Sequence, residues 1–284
     1  MTADGASPPH GRRPDRDGEP PSGGQSLLPR QRREEIRRRV VDEGFVRIEQ
    51  LADALDVSLM TIHRDLDVLQ GEGWLRKVRG GATARPSALH HGDVRHRIAT
   101  MSGAKRELAH AAVALVEPGQ SVLLDESTTA LALVDLLPGR GPLTVVSNFL
   151  PVITRLGAEP GIDVICLGGA YYGAYDAFLG MRTSEAVRSL RADVLFASTT
   201  AVTGGQCYHQ SQETVAVKRA LMEAADQRVL LLDHSKFLQR GLHHLAPLSA
   251  FDLVLVDRGT PSADVEALRG QGVEIQVAPA LDEG

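Results

Sequence analysis

The chain has 284 residues, of which 43% are hydrophobic and 24% are charged, and its formal net charge is -5. This composition is typical of a globular protein with room for two folded units, and the net charge argues against a protein that coats nucleic acid along its whole length. The charge is unevenly placed, because residues 30–85 carry 12 Lys and Arg against 10 Asp and Glu, whereas residues 86–284 carry 16 against 22.

Cysteine usage and hydropathy narrow the expected location. Cys166 and Cys207 are far apart in the chain, so neither a disulfide framework nor a zinc site is predicted. The sequence has no apolar run of the roughly 18 residues that a membrane span needs, and it begins without the apolar segment of a secretory signal. We therefore expect a cytoplasmic protein.

Residues 1–30 are expected to form a disordered tail, because Pro, Gly, Arg and Asp dominate and few large apolar side chains could be buried. From residue 31 the pattern becomes helical, with Ile36, Val40 and Val41 facing inward. The arginines of this helix are expected on its exterior. They are Arg32, Arg33, Arg37, Arg38 and Arg39.

Residues 48–69 have the pattern of a helix-turn-helix. Two short amphipathic helices are separated only by Asp56-Val57, which leaves room for a tight turn. Ser58 is suited to cap the second helix, because its hydroxyl can accept a bond from a free amide of the first turn. The second helix would enter the major groove of DNA. The apolar positions of the two helices are Ile48, Leu51, Ala52, Leu55, Ile62, Leu66 and Leu69.

A basic wing is predicted after the second helix. The segment Phe45–Arg47 is short and β-prone, and it suits a strand that pairs with a wing at residues 74–82. Leu75 and Val78 would pack inward, while the basic side chains point toward phosphate and Gly80 allows close backbone approach. The residues expected to contact DNA are Arg47, Ser58, Met60, Thr61, His63, Arg64, Arg76, Lys77, Arg79 and Gly80.

This DNA-binding unit, residues 31–85, is followed by a predicted linker at residues 86–92 and by a second unit at residues 93–280. The second unit alternates strand and helix patterns, which predicts a mainly parallel sheet covered on both faces. The predicted strands are 121–125, 143–147, 163–167, 193–197, 228–233, 252–257 and 273–277. The predicted helices are 105–116, 129–137, 148–156, 183–190, 213–225 and 263–269.

Ligands on parallel sheets bind at the carboxyl ends of the strands, and in this chain those ends are rich in hydroxyl, amide and glycine residues. Helix capping explains any one such turn equally well. Several of them in one sheet, with a lysine, favour a phosphate-bearing small molecule. The expected ligand contacts are Asp125, Ser127, Thr128, Thr129, Ser147, Asn148, Gly168, Gly169 and Lys236.

Other chemistries lack their usual motifs. The adjacent pairs His90-His91 and His243-His244 diverge in any regular element, and Asp233–Ser235 are too close in sequence to form a triad. Glycine-rich loops for nucleotide hydrolysis or dinucleotide binding are missing from the sequence. Glu213 and Lys218 lie five apart on a predicted helix, so at least one should be solvated. We predict no catalytic residue, metal or cofactor.

Residues 31–258 resemble the DeoR-type bacterial transcriptional regulators. In the N-terminal unit the resemblance is carried by Gly44-Phe45-Val46, Leu51-Ala52, Val57-Ser58, Thr61-Ile62, Arg64-Asp65-Leu66, Leu69, Gly73 and Arg79-Gly80-Gly81-Ala82. In the second unit it is carried by Lys105, Asp125–Thr129, Val146-Ser147-Asn148, Leu167-Gly168-Gly169, Gly180, Glu213, Lys218-Arg219 and Asp233–Phe237. The chain departs from the family pattern at His63, Ser127 and Ser147, where the family usually has Arg, Gly and Thr.

The resemblance implies a winged helix-turn-helix joined to an α/β sensor domain related in fold to ribose-phosphate isomerases and CoA-transferases. It also implies a homo-oligomeric repressor of a carbohydrate-catabolism operon, which binds double-stranded operator DNA and is released by a phosphorylated sugar. One alternative is a sugar-phosphate isomerase or transferase with an accessory DNA-binding head, in which Asp125, Glu126 and Lys236 move protons. Another is an architectural DNA binder that responds to no ligand. We expect a regulator and not an enzyme.

Overall fold

The computed structural model describes residues 28–43, 45–71, 75–84 and 94–281. The expected linker, Gly73, Trp74 and all but the last three residues of the expected tail lie outside the described residues. The first helix begins at Pro29, two residues before the predicted start of the N-terminal unit. Proline suits the first turn of a helix, because its missing amide would have no partner there.

The N-terminal domain contains helices and a small antiparallel sheet. Its elements are α1 (Pro29–Glu43), β1 (Phe45–Arg47), α2 (Ile48–Ala54), α3 (Leu59–Gly71), β2 (Leu75–Val78) and β3 (Gly81–Ala84). Strand β3 lies between β1 and β2 and runs antiparallel to both. The predicted pairing of Phe45–Arg47 with the wing is therefore confirmed.

The core of this domain is built from the predicted apolar faces. Ile62, Leu66 and Leu69 of α3 are fully buried and lie in one cluster with Ile36 of α1. These positions recur at helical spacing, so one face of α3 packs against the domain and the opposite face is left to solvent.

Arg32 was expected on the exterior of α1, and this prediction was wrong. Its side chain is buried, and its Nε donates a hydrogen bond to Oδ2 of Asp65 at 2.6 Å. Asp65 precedes Leu66 on α3, so the ion pair joins the two helices inside the domain. A buried charge is tolerated when an opposite charge with good hydrogen-bond geometry lies against it.

The C-terminal domain begins at Val94 and contains most of the described chain. Its elements in chain order are α4 (Val94–Ala99), α5 (Ser102–Val113), β4 (Ser121–Leu124), β5 (Leu143–Ser147), α6 (Leu150–Leu156), β6 (Ile162–Cys166), β7 (Ala170–Tyr172), β8 (Ala177–Leu179), α7 (Met181–Arg188), β9 (Ala192–Ala197), β10 (Ala201–Thr203), β11 (Gln206–His209), α8 (Gln212–Ala224), β12 (Ala225–Leu232), β13 (His243–Pro247), β14 (Leu253–Val256), α9 (Ser262–Gly270) and β15 (Ile275–Val277).

The central sheet has seven strands in the order β15-β14-β12-β9-β4-β5-β6, and every neighbouring pair is parallel. The chain builds the sheet outward from β4 to β6, then returns to place β9 on the other side of β4. The order of strands thus reverses between β4 and β9. In open α/β sheets this switch point is where a crevice opens beyond the carboxyl ends of the strands.

The inner strands of the sheet are buried on both faces, which explains their continuous apolar runs. Leu123 of β4 belongs to the cluster that includes α7, α8 and α9, whereas Val122 belongs to the cluster that includes α5 and α6. Alternate residues of one strand therefore serve opposite cores. Cys166 and Cys207 are free, as expected. None of the described helices combines the length and apolar composition needed to cross a membrane.

The structure differs from the predicted elements in several places. Helix α4 lies where no element was predicted. The predicted helix at 129–137 is replaced by two 3-10 turns, Ala130–Leu133 and Leu137–Arg140. Pro138 lacks an amide and disfavours the helical conformation of the residue before it, so a longer helix does not propagate. The hairpin β7–β8 and the antiparallel sheet β10-β11-β13 were not predicted, because short strands of mixed exposure carry weak periodicity.

Candidate functional site

Helix α3 carries the face predicted to contact DNA, and its N-terminus is capped. Ser58 Oγ accepts a hydrogen bond from the amide of Thr61 at 3.2 Å and lies 2.9 Å from Thr61 Oγ1, which confirms the predicted cap. Beyond the cap, Met60, His63 and Arg64 project from the face opposite the buried residues, and Met60 is 63% exposed. This face has the length and chemistry to enter a major groove.

The remaining residues expected to contact DNA also lie at the surface of the domain. Thr61 and Lys77 are partly buried, and the others are exposed. The exposed set is Arg47, Ser58, Met60, His63, Arg64, Arg76, Arg79 and Gly80. Their accessibility supports the predicted DNA contacts, which stay predictions.

The wing is bonded directly to α3. Nζ of Lys77 lies 2.6 Å from Oδ1 of Asp67, and the amide of Lys77 donates to Oε1 of Gln70 at 2.8 Å. Gly81 allows β3 to lie against β1, because a Cβ atom at this position would overlap the carbonyl oxygen of Val46. Lys77 therefore orients the wing relative to α3, a role that sequence reasoning missed because Asp67 and Lys77 belong to different elements.

At the switch point of the sheet, Lys218 of α8 is buried between two carboxylates. Its Nζ bonds to Oδ2 of Asp125, lies 3.0 Å from Oε1 of Glu126, and donates to the carbonyl oxygen of Ser198 at 3.1 Å. Burial alone would lower the pKa of Lys218, but the adjacent carboxylates of Asp125 and Glu126 raise it above the ordinary value. Lys218 is therefore charged. The expectation that Glu213 or Lys218 is solvated is met by Glu213, which is exposed.

Two of the expected ligand contacts are directed into the protein. Asp125 is fully buried and accepts bonds from the amides of Ser127 at 3.0 Å and Ser198 at 2.9 Å, in addition to its bond with Lys218. Ser147 Oγ donates to the carbonyl oxygen of Leu124 at 2.8 Å and accepts from the amide of Phe149 at 3.0 Å. The polar atoms of both side chains thus hold neighbouring strand ends together.

The paired glycines after β6 serve packing. The carbonyl oxygen of Gly168 accepts a hydrogen bond from Thr183 Oγ1 at 2.9 Å. Gly169 has a φ of +156°, and a Cβ atom at this position would overlap Thr183 and approach the carbonyl oxygen of Leu179 at 2.9 Å. Both glycines are exposed as well, so a ligand could still approach their backbone.

A second cluster near the same edge is dominated by cations. Lys105 of α5 is only 5% exposed, and its Nζ lies 3.0 Å from Thr128 Oγ1 and donates to the carbonyl oxygen of Arg97. Nζ of Lys236 lies 3.5 Å from Oδ2 of Asp233. Burial lowers the pKa of Lys105 to about 7, and the nearby charge of Lys236 acts in the same direction. Thr128 and Lys236, which were both expected to contact the ligand, thus lie near Lys105, which was not.

Asp233 is the carboxylate of this cluster. Burial tends to raise the pKa of Asp233, but Lys236, Ser235 and Lys105 together hold it below the ordinary value. The following residue, His234, pairs instead with Asp257, with 2.6 Å between Nδ1 and Oδ2. Asp233, His234 and Ser235 therefore do not form a catalytic triad, as expected from their spacing.

Four adjacent strands end in a row of buried polar atoms that have no hydrogen-bond partner among the described residues. Buried polar atoms usually have partners, so such a row indicates a place where a ligand or water supplies them. In the order of the strands β12, β9, β4 and β5, the atoms are Asp233 Oδ2, Ser198 Oγ, Glu126 Oε2 and Asn148 Oδ1. Asp233 Oδ2 makes the 3.5 Å ion pair with Lys236 but no hydrogen bond with any described residue. All four can accept a hydrogen bond. Within the described part of the chain no group of three His, Cys, Asp or Glu side chains could hold a metal ion.

A winged helix-turn-helix followed by an α/β domain with a polar strand edge defines a ligand-responsive transcriptional regulator. Residues 32–87 match the DeoR-like helix-turn-helix domain, and residues 100–258 match the DeoR C terminal sensor domain. The chain belongs to the DeoR family of DNA-binding transcriptional regulators.

Similar proteins cover nearly the whole chain. The HTH-type transcriptional regulator YgbI of Escherichia coli strain K12 is 32% identical over 89% of this chain and 99% of its own length. The L-fucose operon activator of Haemophilus influenzae is 30% identical over 78% of this chain and 89% of its own length. The glycerol-3-phosphate regulon repressor of the same species is 29% identical over 86% of this chain and 95% of its own length. Ribose 5 phosphate isomerase A from Neisseria gonorrhoeae is similar with a TM-score of 0.35 and 18% identity, over 48% of this chain and 53% of that chain.

Arg64 and Arg79 should affect DNA binding differently. Arg64 lies on the exposed face of α3, so we expect Arg64→Ala to weaken operator binding by about 1–3 kcal/mol and to relax sequence preference. Arg79 lies in the turn of the wing, so Arg79→Ala should weaken binding to operator and random DNA alike and lower the salt slope by about one. Fluorescence anisotropy at several salt concentrations measures both, and equal effects on specificity would contradict these roles.

The buried ion cluster should contribute strongly to stability. Lys218→Met leaves two buried carboxylates without their cation, so we expect the free energy of unfolding to fall by about 3–5 kcal/mol. Arg191→Met is the matched control, because Arg191 and Asp226 form an ion pair whose side chains are 73% and 53% exposed, and surface pairs contribute little. Urea unfolding of both variants gives the comparison, and equal losses would mean that the buried cluster is not stabilising.

Proposed function

We propose that the protein represses a carbohydrate-catabolism operon and is released from operator DNA by a phosphorylated sugar. The cation cluster beside the row of unpartnered acceptors carries this proposal. Among the relatives, one name refers to glycerol-3-phosphate and another to an L-fucose operon, and these names support a carbohydrate effector. Both a repressor and an activator occur among them, so repression is the part of the proposal that operator assays must test directly.

The chemistry of the strand edge fits the two ends of a sugar phosphate. Lys105 and Lys236 would hold the phosphate, and the hydroxyl of Thr128 would donate to one of its oxygens. The acceptors on Glu126, Ser198 and their neighbours would receive the sugar hydroxyls, each of which carries a proton to donate. An anion without hydroxyl groups would bind the lysines and Thr128 but would donate no hydrogen bond to these acceptors.

The site as proposed contains the contacts expected from the sequence and adds Lys105, Glu126 and Ser198 to them. Asp125 and Ser147 would act indirectly, by holding the strand ends in place. The contacts expected from the sequence are Asp125, Ser127, Thr128, Thr129, Ser147, Asn148, Gly168, Gly169 and Lys236. Residues 31–85 would bind operator DNA, and residues 93–280 would bind the effector and mediate self-association in the cytoplasm.

The internal bonding of Asp125 supports binding over catalysis. An isomerase needs a carboxylate that is placed to accept a proton from its substrate. Both oxygens of Asp125 already accept hydrogen bonds from the protein, and its charge is balanced by Lys218. A steady turnover of sugar phosphates that is lost in Glu126→Gln would favour the alternative, an isomerase with a DNA-binding head.

A ligand screen tests the proposed effector class. We expect a set of sugar phosphates to raise the melting temperature of the full chain, and the unphosphorylated sugars to have much weaker effects, because the cation cluster requires an anion. Thr128→Val should abolish the thermal shift and the release from operator DNA, because its hydroxyl is one of the donors proposed to hold the phosphate. A uniform lack of response to phosphorylated compounds would support the architectural DNA binder.

The binding of a phosphorylated ligand should depend on pH. The pKa of Lys105 is about 7 because of burial, and a bound phosphate favours its protonated form, so binding takes up a proton. Affinity should therefore fall as pH rises above about 7, where the phosphate itself is already a dianion. Calorimetry in buffers of different ionisation enthalpy measures the uptake. Lys105→Met should bind weakly and without this dependence, whereas an unchanged profile would exclude Lys105 as its source.

A further inference from the structure

We propose that α4 is the element through which the ligand acts on the DNA-binding domain. In this proposal the phosphate takes the place of the main-chain carbonyl of Arg97 at Lys105 and Thr128, and α4 is released from the sheet edge. The inference rests on the proposed function, because it assigns a mechanism to the same site.

The carbonyl oxygen of Arg97 occupies the position of an anion in the cation cluster. Nζ of Lys105 donates to it, and Thr128 Oγ1 donates to it at 3.3 Å. These are the same two donors that would hold a phosphate oxygen. Thr128 Oγ1 has a single proton to donate, and it is directed at the Arg97 carbonyl. A phosphate oxygen that accepts this proton therefore competes with the Arg97 carbonyl.

Charge favours the phosphate in this competition. Lys105, Lys236 and Arg97 contribute positive charge around the position, and Asp233 is the carboxylate that acts on Lys105. A neutral carbonyl compensates none of this excess, whereas a phosphate dianion does. Hydrogen bonds between charged groups are also roughly twice as strong as those between neutral ones.

The rest of α4 is suited to release. It has only six residues, from Val94 to Ala99, and helices of this length are unstable without tertiary contacts. Among its side chains that the structure describes, only Val94 is buried, and it lies in the core cluster shared with α5. The Arg97 side chain contacts a residue outside α4, with its guanidinium carbon 5.6 Å from the ring centroid of Tyr175 in the turn between β7 and β8.

The place of α4 in the chain connects this contact to the DNA-binding domain. It is the first described element after β3 of the wing, and residues 85–93 join the two. The C-terminal domain holds the connection to the N-terminal domain at α4. Release of α4 would therefore move this attachment point. A coupling of this kind commonly changes affinity by about 5–150-fold.

Hydrogen exchange on the full chain tests the proposal directly. Inorganic phosphate is the probe, with sodium chloride at the same ionic strength as the reference, and binding is followed in parallel by calorimetry. We expect faster amide exchange at residues 94–100 in phosphate and slower exchange near Thr128. Binding of phosphate with unchanged or slower exchange in α4 would overturn the inference and leave the anion site intact. Failure of phosphate and sugar phosphates to bind would overturn both proposals.

Two variants of α4 supply a matched comparison. Val94→Ala removes buried contacts of α4, so it should lower operator affinity without any ligand and reduce the further effect of a sugar phosphate selected by the thermal-shift screen. Ile98→Ala changes a side chain of the same helix that is 37% exposed, and it should behave like the parent protein. Equal operator affinity and full ligand response in Val94→Ala, with a melting temperature showing that it is folded, would contradict the proposal.

Discussion

The ammonium group of Lys218 lies where the two halves of the parallel sheet meet, and it binds Asp125, Glu126 and the carbonyl oxygen of Ser198. These partners end β4 and β9, the two strands between which the strand order reverses. Without a cation at this point the two carboxylates would repel each other in a region that excludes water. One buried charge from α8 therefore holds the ends of β4 and β9 together at the switch point.

The ion cluster around Lys218 contrasts with the cation cluster of Lys105 and Lys236 near the same edge of the sheet. Lys105 donates to Thr128 and to a main-chain carbonyl of α4, and among the described residues no carboxylate is bonded to it. A buried lysine with neutral partners is an incompletely compensated charge, which is why burial lowers its pKa. The two lysines thus differ in their partners: Lys218 is bonded to carboxylates, whereas Lys105 is bonded to neutral oxygens.

The N-terminal domain likewise contains both charged side chains that form ion pairs and charged side chains that are exposed. Arg32 and Asp65 form a buried pair that joins α1 to α3, and Lys77 and Asp67 join the wing to α3. His63, Arg64 and Arg79 are exposed on the surface that these pairs hold in place. Met60 is exposed on the same face of α3, and Met60, His63 and Arg64 stay among the side chains predicted to read DNA bases.

The sequence by itself determined the local elements and the family. Helical spacing identified the buried face of α3, short continuous apolar runs located all seven strands of the central sheet, and the residues after those strands located the polar edge. Only the tertiary structure decided which of those residues are bonded to each other. Lys218 is 93 residues from Asp125, and Lys105 is 23 residues from Thr128. Periodicity reports the local environment of a residue, whereas these partners depend on the order in which distant strands and helices pack.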